Sequence, residues 1–307
     1  MRNRRGRERC VFGAVVALVV LAGVVAPGAL GQEQTATLKP ITEQDLLGGL
    51  KDPTRWLTFG GDYGNQRYSP LRQITPKNVN RLVPQWMFQT ETTVPGRGFE
   101  AMPLVADGVM YVSGTNNGVW ALDEHTGRML WRYRRTFPKV MRVCCGAVNR
   151  GLAILGDRLY MGTLDAHLVA LDRATGKVVW DVPVEEPTHG FSIDGAPIVA
   201  NGKVIIGIAG GDYNTRGFLD AYDAETGARA WRFYTIPGPG EPGSETWPNA
   251  DAASWGGAAT WVTGAYDPEL NLVYVGTGNP NPNFFGDDRK GDDLYTCSIV
   301  AIDVATG

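Results

Sequence analysis

Cys144 and Cys145 are adjacent, and adjacent cysteines have two chemistries open to them. They stand as two independent reduced thiols, or they close an eight-membered ring through a disulfide. Cα atoms across one trans peptide lie about 3.8 Å apart, closer than the roughly 4.4–6.8 Å that disulfides prefer. Such a ring is rigid and strained, and strain of this kind collects where a site uses it. Other familiar chemistries are missing. His125, His167 and His189 have no zinc-like spacing. Gly60-Gly61-Asp62-Tyr63-Gly64 has the glycines of a phosphate loop but no helix pattern after it. No CxxCH haem attachment motif occurs.

The compartment bears on the cysteine pair. An arginine-rich start precedes the apolar run Val11–Ala26, and small residues at Ala29 and Gly31 lead into polar Gln32-Glu33-Gln34. This order predicts a secretory signal peptide over residues 1–31, with an uncleaved anchor as the alternative. The apolar run is short for a spanning helix of about 20 residues. Cys10 would leave with the signal, and an exported Cys144–Cys145 pair would meet an oxidising environment. Cys297, without a partner, is expected to be a small buried hydrophobe. The formal net charge is −3, with the signal's arginines included, which argues against nucleic acid as a partner.

The elements that must position such a site follow from a repeat. Trp120-Ala-Leu-Asp123-Glu-His-Thr-Gly127-Arg-Met-Leu-Trp131 recurs at Val169–Trp180 and at Asp220–Trp231, and starts again at Val300–Gly307. Strand-turn-strand signals precede each copy, at Asp107-Gly108, Gly156-Asp157, Asn201-Gly202 and Asn271. The pattern predicts a strand ending at the Asp, an Asp-x-x-Thr-Gly turn, and a strand ending in a Trp packed between sheets. A unit of this kind cannot bury both faces alone, whereas units around an axis can. The fold class is therefore all-β, a β-propeller of about four to five blades over residues 56–307. Residues 32–55 form an N-terminal extension. The Pro- and Gly-rich stretch Ile236–Gly243 is expected to be a long loop over the mouth of a site.

The repeat with its closing Trp resembles the tryptophan-docking motif of the pyrroloquinoline quinone (PQQ)-dependent alcohol and methanol dehydrogenases. The likeness runs from about Trp56 to Gly307. It implies an eight-bladed quinoprotein dehydrogenase propeller with about half to five-eighths of it present here. Single repeats also occur in cofactor-free scaffolds that assemble outer membranes, so the local motifs matter more. In the family a disulfide between neighbouring cysteines stacks on one face of PQQ and a Trp on the other. Cys144-Cys145-Gly-Ala-Val-Asn-Arg150 matches the disulfide segment, with Arg150 in place of an arginine that reaches a PQQ carboxylate. Trp261 matches the opposing stacker, and Glu100 a glutamate near the cofactor carboxylates. A planar tri-acid needs flat walls and a cation. The plain readings are a blade tryptophan for Trp261, a solvated charge for Arg150 and a loop carboxylate for Glu100.

The resemblance also implies Ca²⁺ or a lanthanide ion beside PQQ, held by oxygen ligands. Ala209-Gly210-Gly211-Asp212 falls on the segment that carries the family's glutamate ligand, so Asp212 is one methylene short. Asn279 matches the amide ligand. Their plain readings are a turn acid and an Asn-Pro turn initiator. Asp194 stands where the family commonly has Thr, and Ala259 replaces a frequent hydroxyl residue. An anionic Asp facing an anionic cofactor is unfavourable unless it is protonated or turned toward the metal or Arg150. It is a substitute ligand or a mark of altered cofactor binding.

The function implied is periplasmic oxidation of an alcohol with PQQ and a metal ion, electrons passing to a cytochrome c. The aspartate that deprotonates the alcohol is expected beyond Gly307. The alternatives are a quinoprotein acting on an aldose or polyol and a non-catalytic scaffold that binds partner proteins.

Overall fold

The computed structural model describes residues 38–90 and 98–307, so the expected signal segment lies outside the described residues. Four antiparallel meanders follow one another along the chain. β1 (Leu104–Ala106), β2 (Val109–Ser113), β3 (Val119–Asp123) and β4 (Met129–Tyr133) pair in that order. β5 (Ala153–Leu155), β6 (Arg158–Gly162), β7 (His167–Asp172) and β8 (Val178–Pro183) form the second sheet. β9 (Ile198–Ala200), β10 (Lys203–Gly207), β11 (Phe218–Asp223) and β12 (Arg229–Tyr234) form the third. β13 (Ala265–Asp267), β14 (Leu272–Gly276) and β15 (Ile299–Asp303) form a three-stranded fourth sheet. The first strands of the second, third and fourth sheets neighbour one another, as inner strands of propeller blades do.

Turn chemistry explains the meanders. The first hairpins of the first and third sheets turn on Asp107-Gly108 and Asn201-Gly202, with positive φ at both residues, the pairing a type I′ turn requires. In the next turn Asp123 Oδ1 accepts from the Thr126 amide at 2.8 Å and its hydroxyl at 2.7 Å. Asp172, Asp223 and Asp303 repeat this with Thr175, Thr226 and Thr306. A glycine must follow, because Gly176 has φ +70° and a Cβ there would lie 2.5 Å from the Trp131 ring.

The docking tryptophans sit within their strands rather than at the ends. Trp131, Trp180 and Trp231 pair with Ala121, Ala170 and Ala221, and their strands run two or three residues further. A register shift follows each of these three alanines. It sets the outer strand across the next blade's turn. Inner strands β1, β5 and β9 are largely buried and β13 is half-buried, while outer strands β4 and β8 are mostly exposed.

One further expectation needs correction. Cys297 is exposed and free, not buried, because it lies in the connection from β14 to β15 rather than in a strand. The stretch Ile236–Gly243 is an irregular loop, and its residues are not among those of the cavity wall described below. It belongs to an excursion between β12 and β13 with its own small core of Ile236, Trp247, Ala252, Ala253 and Ala258. Helix α2 (Ala250–Ser254), capped by Asn249, lies within it, and Trp247 Nε1 donates to the Leu294 carbonyl at 2.6 Å. Among the described residues no helix is long and apolar enough to cross a membrane.

Candidate cofactor site

Antiparallel order decides where loops go. In a four-stranded meander, connections one-to-two and three-to-four fall at one end, and connections two-to-three and four-to-next fall at the other. The Asp-x-x-Thr-Gly turns therefore occupy one end. Cys144, Cys145 and Arg150 lie between β4 and β5, Asp194 between β8 and β9, and Ala259 and Trp261 between β12 and β13. Ala209–Asp212 lie between β10 and β11, and Asn279 between β14 and β15. All belong to the opposite end.

These residues share one cavity of about 230 Å³. Its walls are Cys144, Cys145, Arg150, Asp194, Ala209, Gly210, Gly211, Asp212, Ala259, Trp261, Gly278 and Asn279. Glu100 stands behind Arg150 rather than in the wall. Small residues make the space: a Cβ on Gly211 would sit 3.2 Å from that of Ala259.

Cys144 and Cys145 are joined by a disulfide, with Cα atoms 3.8 Å apart and φ +63° at Cys145. The loop that carries them is pinned from both sides. Asn149, buried, donates to the Gly162 carbonyl at 3.0 Å, and its own oxygen accepts from the Gly151 amide at 3.1 Å. Arg142 lies over the Tyr213 ring at 4.5 Å, which ties this loop to the one bearing Asp212.

Arg150 is the hub of the charges. Its guanidinium is 2.8 Å from Asp194 Oδ2 and 2.9 Å from Glu100 Oε2, and its Cζ is 4.9 Å from the Trp261 ring centroid. Asp194 is thus turned toward Arg150, one of the orientations open to it. Burial pushes its carboxyl above the usual range, while Arg150 pulls the other way. Trp261 is 43% exposed, so its indole is an open face and not blade filling.

Asp212 Oδ2 lies 3.3 Å from Cys144 Sγ, and Asp212 Oδ1 accepts from the side-chain amide of Asn283. Asn283 in turn accepts from Asn279 Nδ2 at 2.6 Å. Cys144, Cys145 and Asp212 cluster closely enough to suggest a metal, but sulfurs tied in a disulfide have no thiolate to offer. The hard donors are Asp212, Asn279 and Asn283. Reading the sequence missed Asn283 and Asn149; the first lacked any periodicity to mark it, and the second hid inside the Cys144–Arg150 motif.

The profile of the family described as the PQQ glucose/ethanol/alcohol dehydrogenase β-propeller domain matches residues 56–307. The chain belongs to this family. It is 44% identical over 307 residues to the quinohemoprotein alcohol dehydrogenase ADH IIB of Pseudomonas putida, covering 94% of this chain and 42% of that one. A solved structure of the quinohemoprotein alcohol dehydrogenase ADHIIG from Pseudomonas putida HK5 superposes with TM-score 0.78 at 41% identity, covering 86% of this chain and 40% of that one. One of a europium-containing methanol dehydrogenase superposes with TM-score 0.78 at 36% identity, covering 86% and 49%. The chain therefore spans about two-fifths of the length of the curated relatives it matches. The four meanders are blades of the family's β-propeller.

The cavity fits a flat polyanionic ring beside a hard cation. A disulfide and an exposed indole provide apolar surfaces, Arg150 provides a fork of donors, and Asp212 with Asn279 would offer oxygen atoms to a cation.

Proposed function

We propose that this chain forms the cofactor cage of a PQQ- and metal-dependent alcohol dehydrogenase that works in the periplasm. The observation that carries the reading is the convergence of Cys144–Cys145, Trp261, Arg150, Asp212 and Asn279 on one cavity from four separate connections. When bound, PQQ supplies a two-electron acceptor for oxidation of an alcohol to an aldehyde or ketone. The chain's own groups do the holding. The disulfide and the Trp261 indole exclude water from the faces of the ring, since neither offers a hydrogen bond there. Arg150 orients a carboxylate through its paired N–H groups, and Glu100 fixes the guanidinium from behind. Asp212 and Asn279 hold Ca²⁺ or a lanthanide, hard cations that take oxygen ligands. The names of the relatives, alcohol and methanol dehydrogenases, support an alcohol as substrate class. A cytochrome c receives the electrons, and the leader expected over residues 1–31 directs export.

Titration of PQQ into the protein with Ca²⁺ or a lanthanide present tests the reading. Bound PQQ should shift its ultraviolet-visible absorption and quench tryptophan fluorescence. Trp261→Ala and the double change Cys144→Ser with Cys145→Ser should each weaken binding at least tenfold, about 1.4 kcal/mol. Wild-type affinity in both variants would sink the proposal.

A further inference from the structure

Asp194 is 5% exposed and lines the cavity, yet only one of its side-chain oxygens has a partner. Oδ2 meets Arg150 at 2.8 Å, while Oδ1 is buried without a hydrogen bond among the described residues. The same guanidinium is shared with Glu100, and Asp212 lines the cavity as well. Among the described residues Arg150 is the one cation of the wall, and it faces two carboxylates already.

A buried carboxylate with an unmade bond is costly when ionised. Protonated, its free oxygen becomes a donor, and the acid is kept neutral by its surroundings. A ligand that carries several carboxylates brings further negative charge close to Arg150. That charge competes with Asp194 and Glu100 for the guanidinium and raises the proton affinity of both. Asp194 responds more, because burial shields it from solvent while Glu100 is 43% exposed on its side chain. The burial that already pushes the Asp194 carboxyl up acts in the same direction.

We propose that Asp194 enters the ligand complex as a neutral acid and donates from Oδ1 to an oxygen of the bound anionic ring, so that each binding event takes one proton from solution. The proton comes from the buffer acid and ends on the Asp194 carboxyl; no other bond changes. Threonine, the residue the family resemblance places here, would donate its own hydroxyl hydrogen and take no proton from solution. The aspartate therefore makes cofactor uptake pH-dependent. This inference rests on reading the cavity as the PQQ site.

Calorimetric titration of PQQ at saturating Ca²⁺, run near neutral pH in two buffers of different ionisation enthalpy, counts the protons. Wild type should take up about one proton per PQQ, and its affinity should fall up to about tenfold per pH unit as pH rises. Asp194→Thr and Asp194→Asn should bind with no such uptake and with affinity nearly flat in pH. Two variants guard against a local folding defect in either. Zero uptake in the wild type, or unchanged uptake in both variants, overturns the inference while leaving the PQQ site intact. Failure of wild type and variants alike to bind PQQ overturns the cofactor reading itself.

Discussion

The indole nitrogen of Trp131 donates to the carbonyl oxygen of Arg173 at 3.0 Å, and so fastens the first blade to the turn of the second. Trp86 makes the equivalent bond to Glu124, and Trp231 to Val304, each at 3.0 Å. Trp180 breaks the series. The carbonyl it would reach, that of Ala224, accepts instead from Arg158 and Tyr160, and the Trp180 nitrogen is buried without a partner among the described residues. Both tryptophans lose the same ring area on changing to Phe, so Trp131→Phe should cost about 1 kcal/mol more than Trp180→Phe, the net worth of one hydrogen bond. Urea unfolding, with midpoint and slope both measured, would decide; equal losses would contradict the assignment.

Gly176 and Gly202 share φ +70° but differ in surroundings. A Cβ on Gly202 meets nothing within 4 Å, while one on Gly176 meets the Trp131 ring at 2.5 Å. Gly202→Ala should cost about 1–2 kcal/mol from backbone strain alone. Gly176→Ala should cost about 1–3 kcal/mol more from overpacking. Thermal melts of the pair separate turn strain from docking.

Asp45 closes a capping box on helix α1 (Glu43–Gly48) and pairs with Arg55 at 2.7 Å. Hydrogen bonds from Thr42, with a smaller contribution from Arg55, lower its carboxyl to about 2. A depressed folded value means stability that is present above the unfolded value near 4 and is lost as pH falls toward 2. Asp45→Asn should accordingly melt lower than wild type at pH 6, with the gap closing as pH drops from about 4 to about 2. A gap that persists at pH 2 would refute this.

Arg232 grips Asp220 with two bonds of 2.7 and 2.8 Å, and Asp220 is fully buried. Tyr222 also donates to that carboxylate at 2.8 Å. Arg232→Ala should destabilise by about 3–5 kcal/mol, because it strands a buried charge. Adding Asp220→Asn should recover part of the loss, a non-additivity that a double-mutant cycle measures.

Asn283 links the two proposed metal ligands, donating to Asp212 and accepting from Asn279. It fixes the orientation of the Asp212 carboxylate by holding one of its oxygens. Asn283→Ala should weaken terbium binding, read by luminescence, about 10–100-fold, as losing an outer partner of a ligand does. Asp212→Ala should abolish the signal. Terbium affinity that survives Asp212→Ala would remove the site from this loop.

The blade architecture was legible in the sequence because it is built from local rules. The Asp-x-x-Thr-Gly turn, the glycine under the indole and the Asn-Gly hairpins act within a few residues, so their spacing in the chain is their spacing in space. The adjacent cysteines and the motifs around Arg150, Trp261 and Asn279 were likewise visible, since each is a short run. The fate of Asp194 was not, because it depends on Arg150, 44 residues away in the chain, and on how many carboxylates one guanidinium must serve. Nor was the exposure of Cys297, which follows from a long excursion between two strands rather than from residue type. Asn283 could be placed between Asp212 and Asn279 only once two distant loops were brought to the same end of adjacent blades. Residue identity determined which groups could serve a cofactor; the alternation of strand direction decided that they line one cavity, and with which neighbours.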